Sequence, residues 1–191
     1  MKTLLCTLLL VAAVAHAAPE IGKPAPDFTV KDSSGAEVSL SDFRGRIVVL
    51  EWMNEGCPFV KKHYGSGHMQ KLQKAAVEDG VVWLTIVSSA PGKQGHLDAE
   101  KAAAKKADLG STALLLDEDG KVGRAYNAKV TPEMFVIDGA GTLAYMGAID
   151  DSPRGDPASA KNYVSAAIEA VKAGRPVDPA VTKPYGCGVK Y

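Results

Sequence analysis

Cysteine is scarce in this chain, at three in 191 residues, and none is followed by a second one three positions on. That excludes the paired Cys-x-x-Cys motif. Excess charge is missing too, since 22 Lys and Arg balance 22 Asp and Glu. No basic stripe argues for nucleic acid, and no basic amphipathic helix argues for a membrane surface. No apolar run reaches the roughly 20 residues of a membrane-crossing helix. The chain shows no internal repeat and no low-complexity block. Gly92-Lys93-Gln94-Gly95 lacks the phosphate-loop pattern, and Asp117-Glu118-Asp119-Gly120 lacks the spacing and terminal glutamate of a calcium loop. Asp150-Asp151 has no spaced partner for paired-carboxylate chemistry.

What is present begins with a leader-like N-terminus. Lys2 supplies a positive charge, Leu4 to Val14 is apolar, and Ala15-His16-Ala17 fits a small-x-small cleavage rule. The expectation is a signal peptide over 1–17 and a mature, exported domain over 18–191, periplasmic or secreted and without a membrane span. Cys6 leaves with the signal, so Cys57 and Cys187 remain. An even pair in an oxidising compartment invites a disulfide. The mature length suits one domain with a proper core.

The pattern along the chain predicts an α/β architecture. Pro24 to Val30 and Glu37 to Leu40 flank the turn Asp32-Ser33-Ser34-Gly35 and read as a small N-terminal hairpin. Arg46 to Met53 and Val81 to Val87 are short, β-branched, apolar runs of the kind that form buried strands. Between them a helix starts at Pro58, is interrupted at Gly65-Ser66-Gly67 and resumes to Gly80. Further helices are expected over about 97–108 and 158–173, a helical turn over 122–126, and strands over 113–116, 133–137 and 142–149. The tail, 175–191, is rich in Pro and Gly and reads as irregular. Parallel crossovers followed by an antiparallel end imply a central mixed sheet with helices on both faces.

The chemistry concentrates on Cys57. A thiolate is the reactive form of cysteine, and a helix N-terminus lowers a thiol pKa through unpaired N–H groups and the dipole. Cys57 stands between a buried strand and Pro58, with Lys61, Lys62 and His63 following and Glu55 opposing. This predicts a partly exposed, reactive thiol; the alternative is a buried or simply stapled one. Val60 occupies the place of a second motif cysteine, so the distant partner must be Cys187, flanked by Gly186 and Gly188 in a tail able to swing. Cys187 then either resolves an oxidised Cys57 or ties the tail down as a fixed staple. Thr131-Pro132, before a strand that closes the sheet, is a candidate cis peptide or an ordinary strand start. His63, His68 and Met69, with Cys57, form a weak set for copper(I); surface histidines beside a core methionine is the plainer account. Arg124 and Arg154 cannot be placed from the sequence.

Three segments carry a resemblance: Pro24-Ala25-Pro26-Asp27-Phe28; Glu51 to Lys61, EWMNEGCPFVK; and Thr131 to Asp138, TPEMFVID. With Gly80 to Leu84, Ser89 to Gly95 and Pro184 to Cys187, they are similar to the exported, single-domain thioredoxin-like redoxins, relatives of the peroxiredoxin group. The resemblance implies a thioredoxin-like fold, Cys57 at the active position and a cis Pro132 beside it. Where peroxiredoxins carry Pro-x-x-x-Thr-x-x-Cys, this chain has Leu50 and Asn54, so a donor to a peroxide would be the Asn54 amide. The function expected is thiol-dependent oxidoreduction. Cys57 is the nucleophile, Cys187 the resolving thiol, and Pro132 and Asn54 complete the catalytic set. Thr131, Pro58 and Gly56 lie near the substrate. The substrate is a peroxide or a disulfide-bearing protein, the electron donor is a thiol, and no cofactor is needed. The competing reading is a non-catalytic binding module stapled by Cys57–Cys187.

Overall fold

The structure is a computed structural model and describes residues 18–191. The signal segment expected over 1–17, with Cys6, lies outside the described residues.

A short hairpin, β1 (Thr29–Lys31) and β2 (Glu37–Ser39), opens the fold and runs into a single 3₁₀ turn, Leu40–Phe43. The main sheet is built from β3 (Val48–Trp52), β4 (Val82–Val87), β5 (Ala113–Leu116), β7 (Glu133–Ile137) and β8 (Leu143–Gly147), in the order β5-β4-β3-β7-β8. The β3–β4 and β4–β5 pairs are parallel, while β3–β7 and β7–β8 are antiparallel. Helices α1 (Pro58–Gly65), α2 (His68–Glu78), α3 (Ala99–Ala107), α4 (Lys121–Ala125) and α5 (Tyr163–Lys172) fill the crossovers and the end. A small extra sheet joins β6 (Val130–Thr131) to β9 (Cys187–Gly188).

Strand alternation sorts the core into two faces. Val48, Leu50, Trp52, Leu84, Ile86 and Phe135 point to the side covered by the hairpin and α4, where Tyr126 packs on Trp52 and Phe135. Val49, Trp83, Met134 and Val136 point to the other side, against α2 and α5. Each large side chain buried in this way contributes about 1.5–3 kcal/mol. The two indoles lie on opposite faces, and each donates a hydrogen bond: Trp52 to Ser88 Oγ at 3.0 Å, Trp83 to Glu51 Oε2 at 2.8 Å. A third cluster, including Met53, Cys57, Val60, Val87 and Leu97, sits where β3 and β4 end and α1 begins.

The 3₁₀ turn is capped where the Asp42 side chain accepts from Ser39 N–H at 3.0 Å. Two expectations are corrected. The last helix starts at Tyr163 and not near residue 158, because the Asn162 side chain accepts from Ser165 N–H at 2.8 Å and fixes the N-cap there. The tail expected to swing is tied to the body: Thr182 accepts from Ala148 N–H at 2.9 Å, Cys187 pairs with Thr131, and the Tyr191 hydroxyl donates to the Ala128 carbonyl at 2.8 Å. Glycine earns this path, since its small volume lets the backbone pass close.

Candidate active site

Strand β3 delivers Asn54 and Gly56 to a loop that ends in Cys57, the N-cap of α1, with Pro58 at the first helical position. Asn54 holds that loop. Its side-chain oxygen accepts from Gly56 N–H at 2.8 Å, and its amide donates to the Gln94 carbonyl at 3.0 Å. Gly95 answers it from the neighbouring loop: φ is +83°, and a Cβ there would lie 2.3 Å from the Asn54 oxygen. Asn54 is buried, at 1 % exposure. The sequence offered its amide to a peroxide, whereas the structure engages it in joining two loops.

Cys57 is fully covered, at 0 % exposure. This corrects the partly exposed thiol expected from the sequence: Cys57 belongs to the buried cluster with Met53, Val60, Val87 and Leu97. Cys187, half-buried, packs over the cluster that contains Cys57. A helix does begin at Cys57, as expected. The Thr131–Pro132 peptide is cis, and the Thr131 carbonyl accepts from the Cys57 thiol at 3.0 Å. Thr131 and Pro132 are buried against the site, Pro58 is exposed at its rim and Gly56 is half-buried. Both cysteines are unpaired thiols.

The electrostatics favour ionisation at Cys57. Burial is the largest single influence and pushes its pKa up. The nearby polar hydrogens of the Cys187 thiol and backbone, the Val60 backbone N–H and the Thr131 hydroxyl favour the charged sulfur and together outweigh it, so the thiol lies below its ordinary value. Cys187 moves the other way, raised by burial and by the neighbouring Cys57 sulfur, with Lys190 opposing. The lysine and histidine counted from the sequence point elsewhere. Lys62 donates to the Ser152 carbonyl at 2.5 Å, and His63, 0 % exposed, meets the Tyr185 hydroxyl at 3.1 Å. Glu55, expected to oppose, is drawn 3.4 Å from Lys105.

Of the copper set, His63 and His68 come near each other, with ring centroids 6.2 Å apart. Met69 is buried among Val49, Trp83 and Val164, and His63 is committed to Tyr185. Among the described residues no group of three or more His, Cys, Asp or Glu is placed to hold a metal ion. Arg124 lies over the Tyr191 ring, with its guanidinium carbon 4.6 Å from the ring centre.

Sequence reasoning missed two buried polar centres. Below the site, Glu51 accepts from Tyr64 at 2.7 Å, Gln73 at 2.8 Å, Trp83 at 2.8 Å and Thr85 at 3.3 Å. Burial raises its pKa against the pull of those four donors. Beside the site, Tyr185 of the tail donates to Asp150 Oδ1 at 2.5 Å and shares the His63 ring nitrogen. A glutamate inside the apolar run Arg46 to Met53 was the one available signal for the first centre.

Residues 21–146 match the family described as AhpC/TSA. Thiol-disulfide oxidoreductase ResA of Geobacillus kaustophilus (strain HTA426) is 30 % identical over 147 residues, covering 71 % of this chain and 79 % of the relative. Peroxiredoxin-2 of Cricetulus griseus is 32 % identical over 149 residues, covering 71 % and 72 %. The crystal structure of an uncharacterized conserved protein from Geobacillus kaustophilus superposes with a TM-score of 0.80 at 27 % identity, covering 90 % of this chain and 92 % of that one. The fold is thioredoxin-like, as the sequence resemblance implied. No helix among the described residues is long and apolar enough to cross a membrane.

Proposed function

This chain belongs to the AhpC/TSA family, and on that premise we propose that its thiol oxidoreductase activity is carried by Cys57 and Cys187, exchanging with a disulfide-bearing protein outside the cytoplasm. The supporting observation is the placement of the two thiols: Cys57 caps α1 beside the cis Thr131–Pro132 peptide, and Cys187 of the tail pairs with Thr131 and packs against the cluster that contains Cys57. The leader-like residues 1–17 support export.

The Cys57 thiolate attacks one sulfur of the substrate disulfide. A bond forms from Cys57 to that sulfur, the substrate S–S bond breaks, and the departing thiolate takes a proton. Cys187, once deprotonated, attacks the Cys57 sulfur and releases the second substrate thiolate. Two electrons have then passed to the substrate, and the chain holds a Cys57–Cys187 disulfide, which a dithiol donor reduces. Because Cys57 is the more acidic thiol, it is also the better leaving group in that last reduction. The cis Pro132 and Thr131 form the backbone wall beside the reacting sulfur.

A peroxide is a second reading, favoured by one observation: a covered thiol admits a small oxidant more readily than a protein. The Cys57 thiolate would then attack the terminal peroxide oxygen, the O–O bond breaking to release water or an alcohol and leave a sulfenic acid, and the Cys187 thiolate would attack that sulfur, closing the disulfide and releasing the oxygen as water.

Single-turnover reactions of the reduced protein, of Cys57→Ser and of Cys187→Ser separate these readings. With a disulfide substrate, wild type should lose two thiols per chain and Cys187→Ser should trap a mixed disulfide at residue 57. With peroxide, a trapped sulfenic acid in Cys187→Ser formed faster than the mixed disulfide selects the peroxide reading. Equal turnover by Cys57→Ser and wild type overturns both and leaves the stapled binding module.

A further inference from the structure

The tail reaches Cys57 through a stretch with little backbone support. Thr182 is bonded to Met146 and Ala148, and Cys187 pairs with Thr131 in the β6–β9 ladder. Between these two anchors the Tyr185 side chain grips the body. Its hydroxyl donates to Asp150 Oδ1 at 2.5 Å, meets His63 Nε2 at 3.1 Å and receives from Lys62 Nζ at 3.4 Å. Its ring packs on Phe59 and His63, with centroids 5.7 and 6.5 Å away.

The receiving groups are themselves fixed. Asp150 Oδ1 also accepts from Ser152 N–H at 2.9 Å, and the Asp150 backbone bridges to Asn162. His63 and Phe59 belong to α1, the helix that Cys57 caps. Tyr185 therefore references the tail to the same rigid element that carries the other sulfur. One residue later the backbone passes hard against the site: Gly186 has φ +154°, and a Cβ there would lie 2.0 Å from the Thr131 carbonyl oxygen. The position of Cys187 is thus set by a hydroxyl two residues upstream and a glycine without room to shift.

We propose that Tyr185 is the positioning residue of the redox pair: its hydroxyl, held by Asp150 and His63, seats the tail so that Cys187 meets Cys57, and its release uncovers Cys57 to a substrate. This rests on the redox-pair reading above and adds a second consequence to it. One latch governs both the ease of closing the disulfide and the access of anything that must reach the covered thiol. Two oriented thiols react as if at high effective concentration, and loosening one end lowers that concentration.

The test compares wild type with Tyr185→Phe, which loses only the hydroxyl. Asp150→Asn keeps an acceptor but drops its charge. Thr112→Val, whose hydroxyl accepts from Trp83 N–H at 3.1 Å beside β4 and β5, removes a hydrogen bond elsewhere and serves as control. Equilibration in dithiol redox buffers reads the stability of the disulfide. Tyr185→Phe should make it five- to tenfold less favoured, which raises the potential by about 20–30 mV at 29.6 mV per tenfold. Asp150→Asn should move it the same way by less, and Thr112→Val should not move it.

Alkylation of Cys57 in a Cys187→Ser background reads access, and adding Tyr185→Phe should speed it at least fivefold. A hydroxyl that merely adds stability would lower the melting temperature and leave both readouts within twofold of wild type, which overturns the proposal. If wild type forms no Cys57–Cys187 disulfide, the redox-pair reading falls. The alkylation arm needs no disulfide and still decides whether Tyr185 is the latch.

Discussion

The Cys57 thiol and the Thr131 carbonyl oxygen are 3.0 Å apart, so the protonated sulfur spends its hydrogen on the peptide that precedes Pro132. That bond favours the thiol form, whereas the donors from Cys187, Val60 and the Thr131 side chain favour the thiolate. Against burial, which raises it, these neighbours leave the pKa below its ordinary value, and Cys187 is the largest of the influences that lower it.

Removing the Cys187 donor should therefore raise the Cys57 pKa. In Cys187→Ala, the ultraviolet thiolate absorbance should titrate at higher pH than the first thiol of wild type. Cys187→Ser, which restores a hydroxyl donor, should lie between the two. An unchanged or lower midpoint in Cys187→Ala would mean that the helix terminus alone sets the ionisation.

Gly186→Ala tests the path of the tail. A methyl group 2.0 Å from the Thr131 carbonyl, at φ +154°, forces the strand β9 away from β6. The expected cost is about 1–3 kcal/mol in urea unfolding. Cys57 alkylation should rise along with it. Gly188→Ala, where a Cβ would stand 3.9 Å from the nearest atom, should be far milder.

Glu51→Gln exchanges a four-donor acceptor for a group with donors of its own. An amide hydrogen would then face Trp83, Gln73, Tyr64 or Thr85, all of which donate to the present carboxylate. Loss of a charge-assisted bond and creation of a donor clash should cost about 2–3 kcal/mol. Chemical denaturation at neutral pH measures it, and a variant as stable as wild type would show that the carboxyl is protonated in the folded chain.

His63 gives the stability a pH dependence with a definite sign. Burial, then the Lys62 charge, push its pKa down to about 4, with Asp150 pulling the other way. Between that value and the ordinary 6.5, the unfolded chain binds a proton that the folded one does not. The stabilisation is complete above the ordinary value and is lost as pH falls through the window. Glu51, Asp117 and Glu133, raised by burial, act with the opposite sign, so the comparison must isolate His63. From about pH 7 to about pH 4.5, wild type should lose more unfolding free energy than His63→Gln, by at most about 3 kcal/mol at 1.36 kcal/mol per pKa unit. Equal losses would place the histidine in contact with water.

The sheet and the Cys57–Pro58 helix start were legible because their signals are local. Arg46 to Met53 and Val81 to Val87 contain β3 and β4, and proline marks the first turn of α1. The covering of Cys57 was not legible, because it depends on contacts made across long separations: 74 residues to Thr131, and 122 between His63 and Tyr185. The glycines around Cys187 suggested freedom. In the fold, Gly186 instead permits the tightest approach in the tail. Asn54 was misread for a related reason: its amide is a good donor in isolation, but a loop 40 residues away had already claimed it.

Only two tryptophans occur in the chain, and the sheet separates them, Trp52 towards the hairpin side and Trp83 towards α2 and α5. Each indole is an optical probe of its own half of the interior. Emission from Trp83→Phe and from Trp52→Phe therefore follows the two layers independently during denaturation. Superimposable red-shift curves would mean that the layers come apart as one cooperative unit.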